Sequence, residues 1–106
     1  MKVQHTLLLL AGLSLCNAAG AEDAAALLQK YNCHVCHQSA GKRVVGPSFE
    51  MIADRYSGDA TALDYLSIRV REGGPGGWGR MPMPAAPAKA SDAEIRAMVI
   101  EILATK

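Results

Sequence analysis

Cys33-His34-Val35-Cys36-His37 is the stretch whose residue types and spacing could do chemistry. Two cysteines three positions apart, followed at once by a histidine, make C-x-x-C-H, the attachment signal for haem c. Thiolates held that close can add to the two vinyl groups of one macrocycle. The adjacent imidazole, a donor that suits iron, then faces the metal as proximal ligand. The other chemistries open to a C-x-x-C pair are a redox couple and a zinc site, and zinc takes four ligands. The one further cysteine, Cys16, falls in a segment expected to be removed.

A second axial ligand has to come from the rest of the chain, and methionine, histidine, lysine and water are the candidates. His34 is inside the motif and cannot swing to the far face, and His5 leaves with the N-terminal segment. Met51 and Met98 sit in the apolar patterns of expected helices, where packing is their default role. Met81 and Met83 remain, in Arg80-Met81-Pro82-Met83-Pro84. Each precedes a proline and is pushed to an extended conformation, and the two side chains are expected on opposite sides, so that one of them reaches the iron. If neither bound, the iron would keep an open position, as in a haem enzyme or gas sensor. No distal histidine or arginine is evident in the sequence to support peroxide chemistry.

A short chain must position these residues. Its 106 residues point to one domain, and a formal charge of +1 gives no reason to expect nucleic acid. Five residues are aromatic, so the apolar core is modest unless something large fills its centre. A haem would do so, and without it the helices would lose the surface they bury against.

Residues 1–21 read as a secretory signal: Lys2, an apolar run from Leu7 to Leu15, then small residues up to Ala19-Gly20-Ala21, with cleavage before Glu22. The run falls short of the roughly 20 residues that span a bilayer, which argues against an anchor and against stable membrane insertion. Leu15 is bulky for a lipoprotein site at Cys16. Cleavage removes Lys2 and no acid, brings the formal charge from +1 to zero, and leaves residues 22–106 as the working domain, in the periplasm.

Within that domain, Asp23 can cap a helix from about Ala24 to Tyr31, with Leu27, Leu28 and Tyr31 on one face. A loop from Gln38 to Gly46 follows the motif. Pro47 suits the first turn of a short helix carrying Phe49, Ile52 and Ala53 and ending near Tyr56. Asp59 is placed to cap the next helix, from about Ala60 to Glu72, with Leu63, Leu66 and Val70 in line. Five glycines and four prolines between Gly73 and Pro87 exclude a helix or a central strand and predict a long loop. Ser91 and Glu94 then form a capping box ahead of Ile95, Met98, Val99, Ile102 and Leu103, an amphipathic helix. No stretch alternates as a strand would.

With Cys-His-Val-Cys-His, Val45-Gly46-Pro47 and Gly77-Trp78-Gly79-Arg80-Met81-Pro82-Met83-Pro84 following a capped helix in that order, the sequence resembles the small bacterial class I cytochromes c of the cytochrome c-551 type. The resemblance implies an all-α fold of four to five helices around one haem c, attached through Cys33 and Cys36, in a monomer that is an electron carrier and not an enzyme. Such a carrier shuttles single electrons between a membrane redox complex and terminal reductases or oxidases. The resemblance further implies His37 and Met83 as iron ligands, the Pro47 carbonyl as acceptor from the His37 ring, and Arg69 and Trp78 at a haem propionate. It places redox partners at an exposed haem edge ringed by Val44, Val45, Met81, Pro82 and Pro84, with Arg43 and Arg80 nearby. Two departures from the family pattern are Pro84-Ala85-Ala86, where an asparagine is common, and Glu101, where a tryptophan is common; neither removes a ligand.

Overall fold

The capping box at Ser91 launches the helix on which the others pack. The computed structural model describes residues 23–106 together with Gly12; the expected signal segment, with Cys16 and the boundary before Glu22, lies outside the described residues. Four α-helices result, α1 (Ala24–Lys30), α2 (Phe49–Arg55), α3 (Ala62–Glu72) and α4 (Asp92–Leu103). A single 3-10 turn at Cys33–Val35 follows α1, and strands β1 (Gly74–Gly76) and β2 (Gly79–Met83) lie between α3 and α4.

α4 touches α1, α2 and α3. Its start is tied by the Glu94 N–H donating to Ser91 Oγ and the Ser91 N–H donating to Glu94 Oε1, each at 3.0 Å. Ile95, Met98 and Val99 are then almost wholly buried, against Leu27 and Leu28 of α1 and Phe49 and Ile52 of α2. Each such side chain contributes roughly 1.5–3 kcal/mol by leaving water. Met98 is thus a packing residue, in keeping with its place in the apolar pattern. Leu63, Leu66 and Val70 of α3 are half-buried at the margin of this core.

Local chemistry shifted three boundaries. α2 is capped by Ser48, whose Oγ accepts from the Met51 N–H at 3.2 Å, so the helix begins after Pro47 rather than on it. That hydroxyl also donates to the Gly41 carbonyl at 2.9 Å, which accounts for a serine with no exposed surface. α3 starts at Ala62, because Asp59 Oδ1 is engaged by the Thr61 N–H and hydroxyl, at 2.8 and 2.7 Å, and closes a turn ahead of the helix. Finally, the expected loop after Gly73 contains a two-stranded antiparallel hairpin, with Gly74 opposite Met83 and Gly76 opposite Gly79. A lone ribbon gives each strand a free edge, where Pro75 and Pro82 are tolerated.

The end of α1 and the start of α4 are joined at Glu94. Its carboxylate accepts from the Tyr31 hydroxyl at 3.1 and 3.2 Å. Hydrogen bonding from the Ser91 N–H, assisted by that hydroxyl, holds the carboxyl below its ordinary range, against a smaller opposing effect of desolvation. A lowered carboxyl stabilises the fold above the ordinary carboxylate range and stops doing so as pH falls through the lowered value. Glu94→Gln is therefore expected to melt below the wild type at neutral pH, with the gap closing in acid. Thermal unfolding of the holoprotein across that range checks it.

Candidate haem-binding cleft

The motif is delivered by a sharp reversal at the end of α1. Asn32 adopts φ 56°, the one positive value outside glycine among the described residues, and the chain enters the 3-10 turn. The Cys36 and His37 N–H groups donate back to the Cys33 carbonyl, at 3.3 and 3.0 Å. That turn brings Cys33, Cys36 and His37 to the lining of one cleft, with both cysteines free. Burial pushes the Cys33 thiol above its ordinary value. A thioether, having no proton to lose, suits such a place better than a thiolate would.

His37 is aimed by its neighbours. Its Nδ1 lies 2.7 Å from the Pro47 carbonyl. A carbonyl can only accept, so Nδ1 carries the hydrogen and Nε2 keeps the lone pair that a metal needs. The ring stacks on Phe49, centroids 5.7 Å apart and planes 18° from parallel. On the other side Gly46 leaves no room: a Cβ there would stand 2.8 Å from His37 Cε1. The Gly46 N–H donates to the Cys36 carbonyl at 2.9 Å, closing the loop over the motif.

Most of the cleft is apolar, with Leu28, Phe49, Leu66, Val70, Met98 and Val99 contributed by all four helices and Trp78 and the two hairpin methionines by the loop. It encloses about 1150 Å³ of space, part of it continuous with solvent. Met81 and Met83 both line it, which corrects the expectation that they point to opposite sides. Residues two apart on an extended strand share a face. Depth distinguishes them instead: Met81 is 62% exposed and Met83 is half-buried.

Arg69 and Trp78 also line the cleft. Arg69 Nη2 donates to the carbonyls of Gly73 and Pro75, at 2.8 and 2.7 Å, so part of this guanidinium holds the loop. Trp78 lies beneath Arg55, whose guanidinium carbon is 3.7 Å from the ring centre. Val44, Val45 and Met81 are exposed, as are Pro82 and Pro84.

Sequence reasoning missed Arg55 and the steric roles of Gly46 and Gly73. No periodicity or motif singles out Arg55, since its partners lie more than twenty positions away. Gly73 reads in the sequence as a helix stop, yet its larger service is steric. With φ 65° and a hypothetical Cβ only 2.5 Å from the Met83 carbonyl oxygen and 2.6 Å from Ala85 N, it lets the methionine strand pass against the end of α3.

Among the described residues no three His, Cys, Asp or Glu side chains converge as a metal cluster, so the Cys33–Cys36 pair lacks the further ligands of a zinc site. Two free thiols, an imidazole with its Nε2 lone pair available and an apolar enclosure do fit haem c.

Four helices around such a cleft define a class I cytochrome c fold. The chain belongs to the cytochrome c family, whose model matches residues 21–100. It is 46% identical over 77 residues to cytochrome c-551 of Allochromatium vinosum, covering 73% of this chain and 80% of that protein. It is 43% identical over 82 residues to cytochrome c2 of Rubrivivax gelatinosus, covering 76% and 95%. The crystal structure of wild-type Nitrosomonas europaea cytochrome c552 superposes with a TM-score of 0.69 at 39% identity, covering 77% of this chain and 99% of that one. The protein is accordingly a small electron carrier, not an enzyme, with haem c bound covalently through its cysteine pair.

Because Gly73 combines a left-handed backbone with this close approach, Gly73→Ala is expected to destabilise the holoprotein by roughly 1–3 kcal/mol. Gly76, with open space around it, should tolerate alanine within about 0.5 kcal/mol. Guanidinium unfolding followed by far-ultraviolet circular dichroism compares the two.

Proposed function

We propose that the protein is a monomeric periplasmic carrier moving single electrons through a haem c ligated by His37 and Met83, between a membrane redox complex and terminal reductases or oxidases. The observation that carries this reading is the meeting, at one apolar cleft, of an imidazole with Nε2 available and a half-buried methionine on a tethered strand. Haem c, when bound, supplies a one-electron iron couple.

The chain's residues set how that couple behaves. Pro47 fixes the tautomer and direction of His37. Met83 offers a soft, neutral sulfur, which favours the reduced metal and raises the potential relative to an anionic ligand. Apolar walls disfavour the extra positive charge of the oxidised form. With His37 and Met83 both donating to it, the iron would have no position left for a substrate. Arg69 retains N–H groups beyond the two that Nη2 spends on the loop, and Trp78 carries an indole N–H. Both are donors without acceptor capacity, suited to a haem propionate.

Partners dock, on this reading, at the exposed rim formed by Val44, Val45, Met81, Pro82 and Pro84, with Arg43 and Arg80 beside it. Among the described residues no helix is long and apolar enough to cross a membrane. The N-terminal signal pattern supports export and a mature chain beginning at Glu22; N-terminal sequencing of the purified holoprotein is expected to read Glu-Asp-Ala, and recovery of Met1 would contradict it.

Met83→Ala is expected to abolish the sulfur-to-iron charge-transfer band, lower the potential and open the reduced protein to carbon monoxide. Met81→Ala should keep the band, and Met81→Lys should keep it while slowing exchange with a partner reductase. A reversed pattern would transfer ligation to Met81. Optical spectra and carbon monoxide titration separate the cases.

A further inference from the structure

The hairpin that carries both methionines has little to hold it by itself. β1 is Gly-Pro-Gly, exposed or half-buried throughout, and β2 is exposed up to Met83. An isolated two-stranded ribbon is marginal in water, and without buried apolar contacts it belongs to the segments that open first. Its register also breaks between Gly74 and Gly76. Something outside the ribbon has to keep it closed.

Two arginines do so from two helices. Arg69 of α3 grips the base through the carbonyls of Gly73 and Pro75. Arg55, the last residue of α2, grips the tip. Gly77 and Trp78 are the two residues between the strands; Arg55 Nη1 donates to the Gly77 carbonyl at 3.0 Å and its guanidinium lies over Trp78, with Cζ 3.7 Å from the ring centre. One planar group thus holds backbone and side chain of the turn at once, which a lysine ammonium cannot reproduce.

We infer that Arg55 is a positioning residue for the axial methionine: by fastening the hairpin tip to α2 it keeps β2 against the cleft and sets how often the methionine strand swings away from the iron. α2 begins at Phe49, the residue on which His37 stacks. The same seven-residue helix therefore supports the imidazole at its start and fastens the methionine hairpin at its end. The inference rests on Met83 being the ligand, as proposed above.

Holoprotein variants Arg55→Ala and Arg55→Lys test it, with Arg96→Ala as a control that removes an exposed arginine of α4 paired to the exposed Asp64 of α3. Two quantities are read: amide hydrogen exchange over residues 74–83, and the rate at which the reduced protein takes up carbon monoxide. Arg55→Ala is expected to raise both by roughly tenfold while exchange in α4 stays at the wild-type level. Arg55→Lys should recover only part of the loss, and Arg96→Ala should change neither. Unchanged hairpin exchange in Arg55→Ala would overturn the clamp, and faster exchange with unaltered carbon monoxide uptake would overturn its link to the ligand. Failure of the Met83 assignment shows elsewhere, in Met83→Ala retaining its charge-transfer band whatever Arg55→Ala does.

Discussion

The contact between His37 Nδ1 and the Pro47 carbonyl, 2.7 Å long, organises one half of this protein. A hydrogen bond of this kind adds only about 1 kcal/mol net to stability, so its importance is directional. It assigns the ring's hydrogen and leaves Nε2 as the donor to a metal. For the carbonyl to reach that point the chain must double back within ten residues of the motif. Gly46 permits it by having no side chain to strike the imidazole, and Ser48 secures it by capping α2 while holding the Gly41 carbonyl. Phe49, the first residue of that helix, then provides the surface on which the ring lies. Ligand geometry and helix start are consequently one piece of structure.

The other half is built on a different principle. The segment from Gly73 to Pro87 has too many glycines and prolines for a helix and too little apolar surface for an independent sheet. Its shape comes from outside: from Gly73 allowing backbones to approach, from Arg69 taking two carbonyls, and from Arg55 lying over Trp78. Long side chains anchored on helices thus do for this loop what backbone ladders do elsewhere. A segment so held opens more readily than one packed in the core. The exposed Met81 and half-buried Met83 lie together on this single short strand.

α4 joins the two halves and also lines the cleft, through Met98, Val99 and Ile102. Its buried stripe receives α1 and α2 in the core, and α3 packs on it beside the cleft. Leu66 and Val70, half-buried in α3, face the cleft as well as the core, so the haem, covalently bound, completes the apolar interior that five aromatic residues alone would leave small. Folding and cofactor binding draw on the same buried surface.

Residue type and spacing alone determined the covalent attachment motif, the amphipathic C-terminal helix with its Ser91–Glu94 capping box, and the helical class of the fold, because each depends on neighbours within a few positions. Helical periodicity likewise places Met98 in the core, where it is buried, but that its side chain also lines the cleft is visible only in the tertiary structure. Tertiary structure was needed wherever a residue acts on a distant one. The period of two along a strand puts Met81 and Met83 on one face, and the depth that distinguishes them depends on how the hairpin lies in the cleft. Gly73 is legible as a helix stop, but its clearance for the Met83 strand appears only when the two backbones meet. Arg55 has no local signature at all, since a guanidinium acquires its role from the carbonyl and indole that folding brings beneath it.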